Sequence, residues 1–487
     1  MDIRASDPEA PPSPAALRPP ASPAGESDGL SLFAEKVPDA LLERKIWLFS
    51  FTFCSVFIAY GTTEILQSSL YATSGYLCLF IVYAAFLVSS LSAPLLVTRI
   101  DAVPTLASAG IFYSGTVLIN ALGELAPPWC RIMMCALVGL SGGGFWSAQA
   151  LYVSLLAQQS ARARGGSVSD ALSALTSKFF VVFSTAQVLS QLLASAFLAG
   201  FGAAELGKAA SVLFSVLTVL ASSGTLALAL LDAPDAPSAR VFRAPRHFCR
   251  AAGSGGGAGA GAGSDAPPPT PLAVFRFWRA EPALWAATPM LFYGGGSLGF
   301  VLGPFLGAFS AQRIGVTAVG FVGAAYNATA LLAALPTDSL VRLPRCGRRW
   351  VFAAGCALHF AWFAAASALL WPAGGGGDGG GAGAASDYAL VFGSIILFAL
   401  AAPVFQSQLP ALLQTWFVAP EPSMKAIAVY RVCFSLGFCA AQGMSIGFLQ
   451  ATGAPCLAQQ CAIWAAVLLF SAGALAWLHA RGGRRVE

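Results

Sequence analysis

The sequence predicts an all-α membrane protein built from two six-helix bundles that repeat in the same orientation. Of its 487 residues, 57% are hydrophobic and only 10% are charged, and the mean hydropathy is +0.71. Soluble domains carry about 25% charged residues, so this composition excludes a soluble globular protein. Twelve apolar runs follow one another, each about 20 residues long and so able to cross a hydrocarbon core of about 30 Å.

A polar motif inside the fourth apolar run indicates the repeat. Residues 141–149 read SGGGFWSAQ, and a weaker copy at 402–408 in the tenth run reads APVFQSQ. Each copy is followed by an apolar stretch, a charged linker and another apolar helix with one cation near its start. That cation is Lys178 in the first half and Arg431 in the second. We therefore expect the two halves to be parallel repeats.

The first half begins with a polar segment, residues 1–40, that is rich in Pro, Ala, Ser and acids. It has no basic region followed by a short apolar region, so we expect a disordered cytosolic tail and not a cleaved signal peptide. A first bundle is predicted over 41–231. Its six predicted helices cover 46–66, 76–97, 103–122, 129–157, 171–198 and 208–231.

Residues 232–281 change composition sharply and are predicted to be a flexible basic linker. They are Pro-rich and then Gly-rich, with interspersed arginines. A G-x-G-x-x-G match there has no preceding strand and no following helix, so no phosphate-binding loop is predicted. A second bundle is predicted over 282–480, and a cytosolic tail over 481–487. Its helices are predicted at 283–306, 316–335, 350–371, 387–409, 424–449 and 457–480.

Basic residues concentrate in the loops on the side of the N-terminus. The positive-inside rule therefore predicts that both termini are cytoplasmic, in a plasma membrane or an internal membrane. The net charge of +5 is explained by this asymmetry, and no nucleic-acid partner is predicted.

Neither a metal, a cofactor nor a catalytic group is predicted. The eleven cysteines include no CxxC pair and no zinc-like spacing with the three histidines. Cys130 and Cys456 fall near outer helix ends, but nothing in the sequence brings them together. The G-x-S-x-G matches at 25–29, 139–143, 295–299 and 443–447 lie in the polar tail or inside apolar runs, so none is predicted to be a nucleophile elbow. The chain has no HExxH or paired-carboxylate motif, and an enzyme is not expected.

The layout of six helices, a linker and six more helices resembles the major facilitator superfamily, whose halves enclose a central site. Short motifs in both halves resemble one branch of it, the Unc-ninety-three-like (uncoordinated protein) family. They are LQSSL at 66–70, WSAQ at 146–149, FFVVF at 179–183, YR at 430–431 and SLGF at 435–438. Two segments depart from the expected pattern: the basic motif between helices 2 and 3 is reduced to TRID, and helix 7 carries GGGS at 294–297.

This resemblance implies a non-enzymatic multi-pass membrane protein. Members of the family regulate potassium channels or accompany membrane receptors between compartments, and some are suspected transporters. The preferred interpretation is a regulator or trafficking partner of an ion channel or receptor, with potassium homeostasis as one setting. The alternative is a transporter that moves a small ion or solute through the central cavity. Family resemblance alone does not choose between them.

Two cations are candidates for the inner mouth of such a cavity. Lys178 and Arg431 lie inside their helices, roughly 10 Å from the cytoplasmic end at about 1.5 Å per residue. A charge at the bilayer centre costs about 3 kcal/mol, so it usually faces a cavity or a partner. The two side chains either reach the interface individually or form a matched basic pair that attracts an anion or closes a gate.

Glu64, near the outer end of helix 1, follows Thr62 and Thr63. Carboxylate and hydroxyl oxygens suit a hard cation or a proton relay, although a residue near a helix end can also simply face water. His359 is expected to be a buried histidine with its hydrogen bonds satisfied.

Four glutamines place amides inside apolar helices: the repeat-related Gln149 and Gln408, together with Gln187 and Gln442. Buried amides need partners, so these side chains either bond between helices or line a ligand site. Trp146 either stacks on a ligand or packs between helices.

Overall fold

The computed structural model describes residues 39–164, 167–201, 205–232, 270–342, 347–370, 385–417 and 420–480. Within these ranges the backbone is almost entirely helical and forms no strand. Eleven helical segments there are long and apolar enough to cross a membrane. A twelfth helix, Pro128–Arg164, has 37 residues but is less apolar, because it contains the Gly, Ser and Gln residues of the repeat motif. The predicted fold class is confirmed.

The first bundle contains six helices, labelled α1 to α6. They cover Ala40–Tyr71, Thr73–Ala93, Ala102–Leu122, Pro128–Arg164, Val168–Ala199 and Leu206–Ala229. The second bundle contains α7 to α12. They cover Pro282–Ile314, Val319–Arg342, Gly347–Leu370, Ala385–Trp416, Pro420–Thr452 and Leu457–Ala480. The chain crosses an even number of times, so the start of α1 and the end of α12 lie on the same face. We name this face the terminal side and the opposite face the far side.

No loop separates α1 from α2. Helical backbone continues from Asp39 to Ile100, yet the chain reverses direction on the way. The Tyr83 hydroxyl lies 2.9 Å from a carboxylate oxygen of Glu64, 19 residues earlier, whereas a straight helix would separate them by about 28 Å. A Cβ on Gly75 would lie 2.8 Å from the Ser68 Cα, so the reversal needs glycine there. The two predicted spans exist, joined by a turn of helix-like backbone.

Three consecutive glycines in α7 allow close packing of the second bundle. A Cβ on Gly295 would overlap the backbone of Phe434 in α11, and a Cβ on Gly296 would overlap the ring of Trp464 in α12. The GGGS segment that departs from the family pattern thus has a packing reason here.

Buried aromatic side chains form the core of each bundle, and His359 belongs to the second. Its Nδ1 accepts a hydrogen bond from the Tyr293 hydroxyl at 2.7 Å, and its Nε2 donates to the Phe398 carbonyl at 2.9 Å. The His359 ring also stacks on that of Phe398, with centroids 4.0 Å apart. The prediction of a satisfied, buried histidine is confirmed.

Part of the predicted linker is helical. Pro271–Ala280 forms a helix, named here the linker helix, and the Thr270 side chain accepts a hydrogen bond from the Ala273 N–H at 3.3 Å. The expectation of a flexible chain is wrong for this segment, because its apolar side chains pack against the second bundle. Residues 1–38, 233–269 and 481–487 lie outside the described residues, and the predicted domain boundaries there stay predictions.

Candidate functional site

Two serine hydroxyls join the halves toward the far side. Ser68, in the LQSSL motif, donates a hydrogen bond to the Leu302 carbonyl of α7 at 3.0 Å. Ser195, near the end of α5, accepts one from the Phe321 N–H at the start of α8, also at 3.0 Å. These contacts close the interface between the bundles at this end.

Two helices of the second bundle contain π-helical turns. They cover Val301–Ser310 in α7 and Val404–Gln408 in α10. A π-turn disturbs the regular backbone ladder and frequently occurs at functional sites. In α7 it includes Leu302, whose carbonyl receives Ser68. In α10 it coincides with the second copy of the repeat motif, whereas the first copy lies in regular α-helix. The duplicated motifs therefore differ in backbone conformation.

Arg431 reaches from α11 to the first bundle. Its Nη1 donates to the Ser147 hydroxyl at 3.2 Å, across 284 residues of sequence. Within the described part of the chain, no carboxylate forms an ion pair with Arg431. A guanidinium has five N–H donors, and one hydroxyl engages only one of them. Arg431 therefore keeps capacity for an anion at the interface between the halves. Ser147 was not singled out from the sequence, although it stands inside the motif that shows the repeat.

Lys178 has different surroundings from Arg431. Its Nζ lies 2.5 and 2.6 Å from the two carboxylate oxygens of Glu43 in the first turn of α1. Arg164 approaches the same carboxylate at 3.7 Å. The Lys178 and Glu43 side chains are each 34% exposed. The structure thus pairs Lys178 within its own half, while Arg431 bonds across the interface. No sequence signal marked Glu43, since it lies among other charges at the start of a span.

Glu64 is linked to the second bundle through one tyrosine. It accepts a hydrogen bond from the Tyr83 hydroxyl at 2.9 Å. The Tyr83 ring stacks on the Phe438 ring of α11, with centroids 3.5 Å apart and planes inclined by 12°. Next to this stack, the Cys439 thiol donates to the Phe80 carbonyl at 3.5 Å. The Glu64 carboxylate is therefore connected, through the Tyr83 side chain, to the ring stack that packs the two halves together.

Two of the predicted glutamines bond or pack between helices of one bundle. Gln442 is fully buried, and its amide donates to the Gly299 carbonyl of α7 at 2.8 Å. This contact supports the interhelical interpretation. The Gln187 oxygen is buried without a hydrogen-bond partner among the described residues. A Cβ on Gly61 of α1 would lie 2.5 Å from it, so α1 and α5 approach closely here.

The remaining predicted residues are buried or, in the case of Trp146, partly buried. Gln149 and Gln408 are 6% and 5% exposed. The Trp146 ring meets those of Phe57 and Phe183 edge-on, with centroids 5.1 and 5.5 Å away. Trp146 thus packs in the aromatic core of the first bundle, next to the Ser147 that receives Arg431.

No group of three or more His, Cys, Asp or Glu side chains that could hold a metal occurs among the residues that the structure describes. Cys130 and Cys456 are not bonded to each other.

No protein-family model matches the chain. The chain is similar to proteins named Protein unc-93 homolog A in several vertebrates. Identity with the protein from Bos taurus is 26% over 432 residues, 82% of this chain and 87% of the relative. Identity with the protein from Danio rerio is 25% over 429 residues, which cover 81% of this chain and 84% of the relative. The resemblance to Unc-ninety-three-like proteins is confirmed. For the protein from Homo sapiens the identity is 24% over 439 residues, which cover 83% of this chain and 87% of the relative.

Solved structures of transporters share the fold. The nucleoside transporter NupG superimposes with a TM-score of 0.59 and 12% identity, over 89% of this chain and 98% of that one. A bacterial homolog of the human lysosomal transporter Spinster, in an inward-facing and unoccupied conformation, gives a TM-score of 0.61 and 14% identity. The match covers 91% of this chain and 97% of that one. A POT family transporter in complex with 5-aminolevulinic acid gives a TM-score of 0.63 and 10% identity, over 90% of this chain and 96% of that one. At these identities the likeness shows the fold alone. The chain is a multi-pass membrane protein with a major-facilitator-like fold.

Proposed function

We propose that this protein is a carrier that binds a small anionic solute between its two halves and moves it by opening them alternately. This is the second of the two functions expected from the sequence. The observation that carries the proposal is the contact of Arg431 with Ser147. A cation inside a membrane bundle usually faces a partner or a cavity, and this one meets a neutral hydroxyl of the opposite half.

The chemistry of Arg431 favours an anionic group. A planar guanidinium binds carboxylate or phosphate through two parallel hydrogen bonds. Because Arg431 and Ser147 belong to different halves, an anion held between them would favour the conformation in which these residues are close. Binding would then shift the equilibrium between open and closed forms.

Glu64 would couple this movement to a proton. An ionised carboxylate only accepts hydrogen bonds, whereas a protonated one also donates. A change at Glu64 would alter its bond with Tyr83 and, through the ring stack, the packing against Phe438.

The far-side hydrogen bonds would have to break during such a cycle. Ser68 and Ser195 each make one neutral hydrogen bond across the interface, and such a bond contributes about 1 kcal/mol net. Opening the far side would also separate the close packing of Gly307 on Ser68 and of Gly320 on Ser195.

The test is uptake into liposomes that contain only the purified protein. A panel would include a monocarboxylate, a dicarboxylate, an organic phosphate, a neutral nucleoside and potassium. We expect uptake of at least one anion, and Arg431→Gln should lower it about 10- to 100-fold, since a hydrogen bond to a charged group contributes about 1.5–3 kcal/mol.

Lys178→Gln is the matched control, because it also removes one cation from a membrane helix but from a paired site. It should retain most of the uptake. Wild-type uptake by Arg431→Gln would contradict the proposal. Absence of any flux, together with co-purification of a stoichiometric channel or receptor, would instead favour the regulator.

A further inference from the structure

A groove lies between the linker helix and the first turns of α11. It has a volume of about 410 Å³ and is lined by Arg276, Phe277 and Lys425, with Thr270 at one end. The Lys425 ammonium stands 5.9 Å from the centre of the Phe277 ring. This site is named here the linker groove.

The described lining of the linker groove contains two cations, Arg276 and Lys425. Arg276 offers a fork of N–H donors and Lys425 a compact positive charge. Oxygen atoms of a phosphate accept charge-assisted hydrogen bonds from both types of side chain. The lining therefore suits a phosphate group.

The linker helix also carries an exposed apolar edge. Leu272 and Phe275 are each 56% exposed, and Trp285 at the start of α7 is 52% exposed. The opposite face is fixed to the protein, since Val274 is buried and the Trp278 ring nitrogen donates to Thr288 at 3.0 Å. A helix held by one face, with large apolar residues and arginines on the other, is typical of the membrane interface.

The position along the chain places the groove at headgroup depth. The linker helix ends next to the span Pro282–Ile314, and Lys425 lies near the start of the span Pro422–Thr452. The rings of Trp278 and Trp285 stack with centroids 5.6 Å apart. Tryptophans are enriched at the boundary between headgroups and hydrocarbon.

We infer that the linker groove binds the headgroup of an anionic phospholipid from the leaflet on the terminal side. The phosphate would lie between Arg276 and Lys425, and an acyl chain would run beside Leu272 and Phe275. A free phosphate would use the same cations, but it would leave the apolar edge without a contact. The lipid accounts for both features.

The test is native mass spectrometry of the full-length protein in detergent with defined lipids. The probes are phosphatidylcholine, phosphatidylserine and phosphatidylinositol 4-phosphate, each titrated alone. We expect tighter retention of the two anionic lipids than of phosphatidylcholine. The double variant Arg276→Gln, Lys425→Gln should weaken anionic-lipid binding roughly tenfold or more, since it removes two cations near the surface.

Arg279→Gln is the control, because it removes the same charge from the same helix at a position outside the described lining. It should weaken binding clearly less than Arg276→Gln does, because Arg279 lies outside the described lining. Equal binding of phosphatidylcholine, or an equal loss in Arg279→Gln, would overturn the inference. Displacement of the lipid by millimolar inorganic phosphate would indicate a free-anion site instead. If the double variant is not monodisperse, Arg276→Gln alone, which changes an exposed residue, should still weaken binding several-fold, and unchanged binding would overturn the inference.

Discussion

Replacing Gly143 by alanine should force α2 and α4 apart. A Cβ at this position would lie 2.6 Å from the Ser89 carbonyl carbon and 2.7 Å from the Ser90 nitrogen. Both are backbone atoms, so no side-chain rotation relieves the overlap. The Gly143 N–H also donates to the Ser89 hydroxyl at 3.1 Å, and that hydroxyl donates to the Gly139 carbonyl at 2.9 Å.

The distance by which α2 and α4 must separate determines how much stability Gly143→Ala loses. Ordinary van der Waals contact for a Cβ begins near 3.4 Å, so the helices must separate by about 0.8 Å. A gap of about 0.5–1 Å loses a quarter to a half of the dispersion energy between the atoms that line it. Overpacking of this kind costs about 1–3 kcal/mol. The better helix propensity of alanine returns about 1 kcal/mol, which leaves a net loss of about 0–2 kcal/mol, and the two backbone overlaps place Gly143→Ala in the upper part of that range.

Thermal unfolding in detergent, followed by tryptophan fluorescence, measures this loss. Gly144→Ala is a neighbouring control, because its Cβ would meet only the ends of Leu96 and Thr105 at 3.1 and 3.3 Å. Gly473→Ala is a second control, with nothing within 4 Å, and should be neutral or stabilising. A melting temperature of Gly143→Ala equal to that of Gly473→Ala would refute the reasoning.

Two further predictions concern the charged residues of the first bundle. Glu64→Gln keeps an acceptor for Tyr83 but cannot exchange a proton, so anion uptake should lose its response to an imposed pH gradient; an unchanged response would count against the coupling role. Lys178→Gln should lower the free energy of unfolding by at most about 1 kcal/mol, because the pair with Glu43 is about one-third exposed and solvent screens such pairs. The exchanged variant Glu43→Lys, Lys178→Glu should recover only part of that loss in thermal unfolding, because a lysine at position 43 would lie close to Arg164, which is 3.7 Å from Glu43. No recovery at all would show that the pair does not act through charge.

Much of the fold could be predicted from the sequence, because crossing a membrane is a local property. A run of about 20 apolar residues can cross the hydrocarbon core by itself, so hydropathy predicts the positions of the helices, although α4 is less apolar than the others. The linker helix was missed because ten residues with interspersed arginines are too short and too polar for that signal. It forms because Val274 and the ring of Phe277 find apolar surface on the second bundle, which hydropathy does not reveal.

The candidate site could be predicted only in its residue types. The sequence by itself determined that Arg431, Lys178 and Glu64 are rare charges within membrane helices, since the residue type and the apolar run around it are enough to recognise such a charge. Only the tertiary structure decided that Lys178 meets an acid of its own half and that Arg431 meets a hydroxyl of the other. Helical periodicity gives the face of one helix; the contact between Ser147 and Arg431 joins positions 284 residues apart, and the packing of two separate bundles sets it.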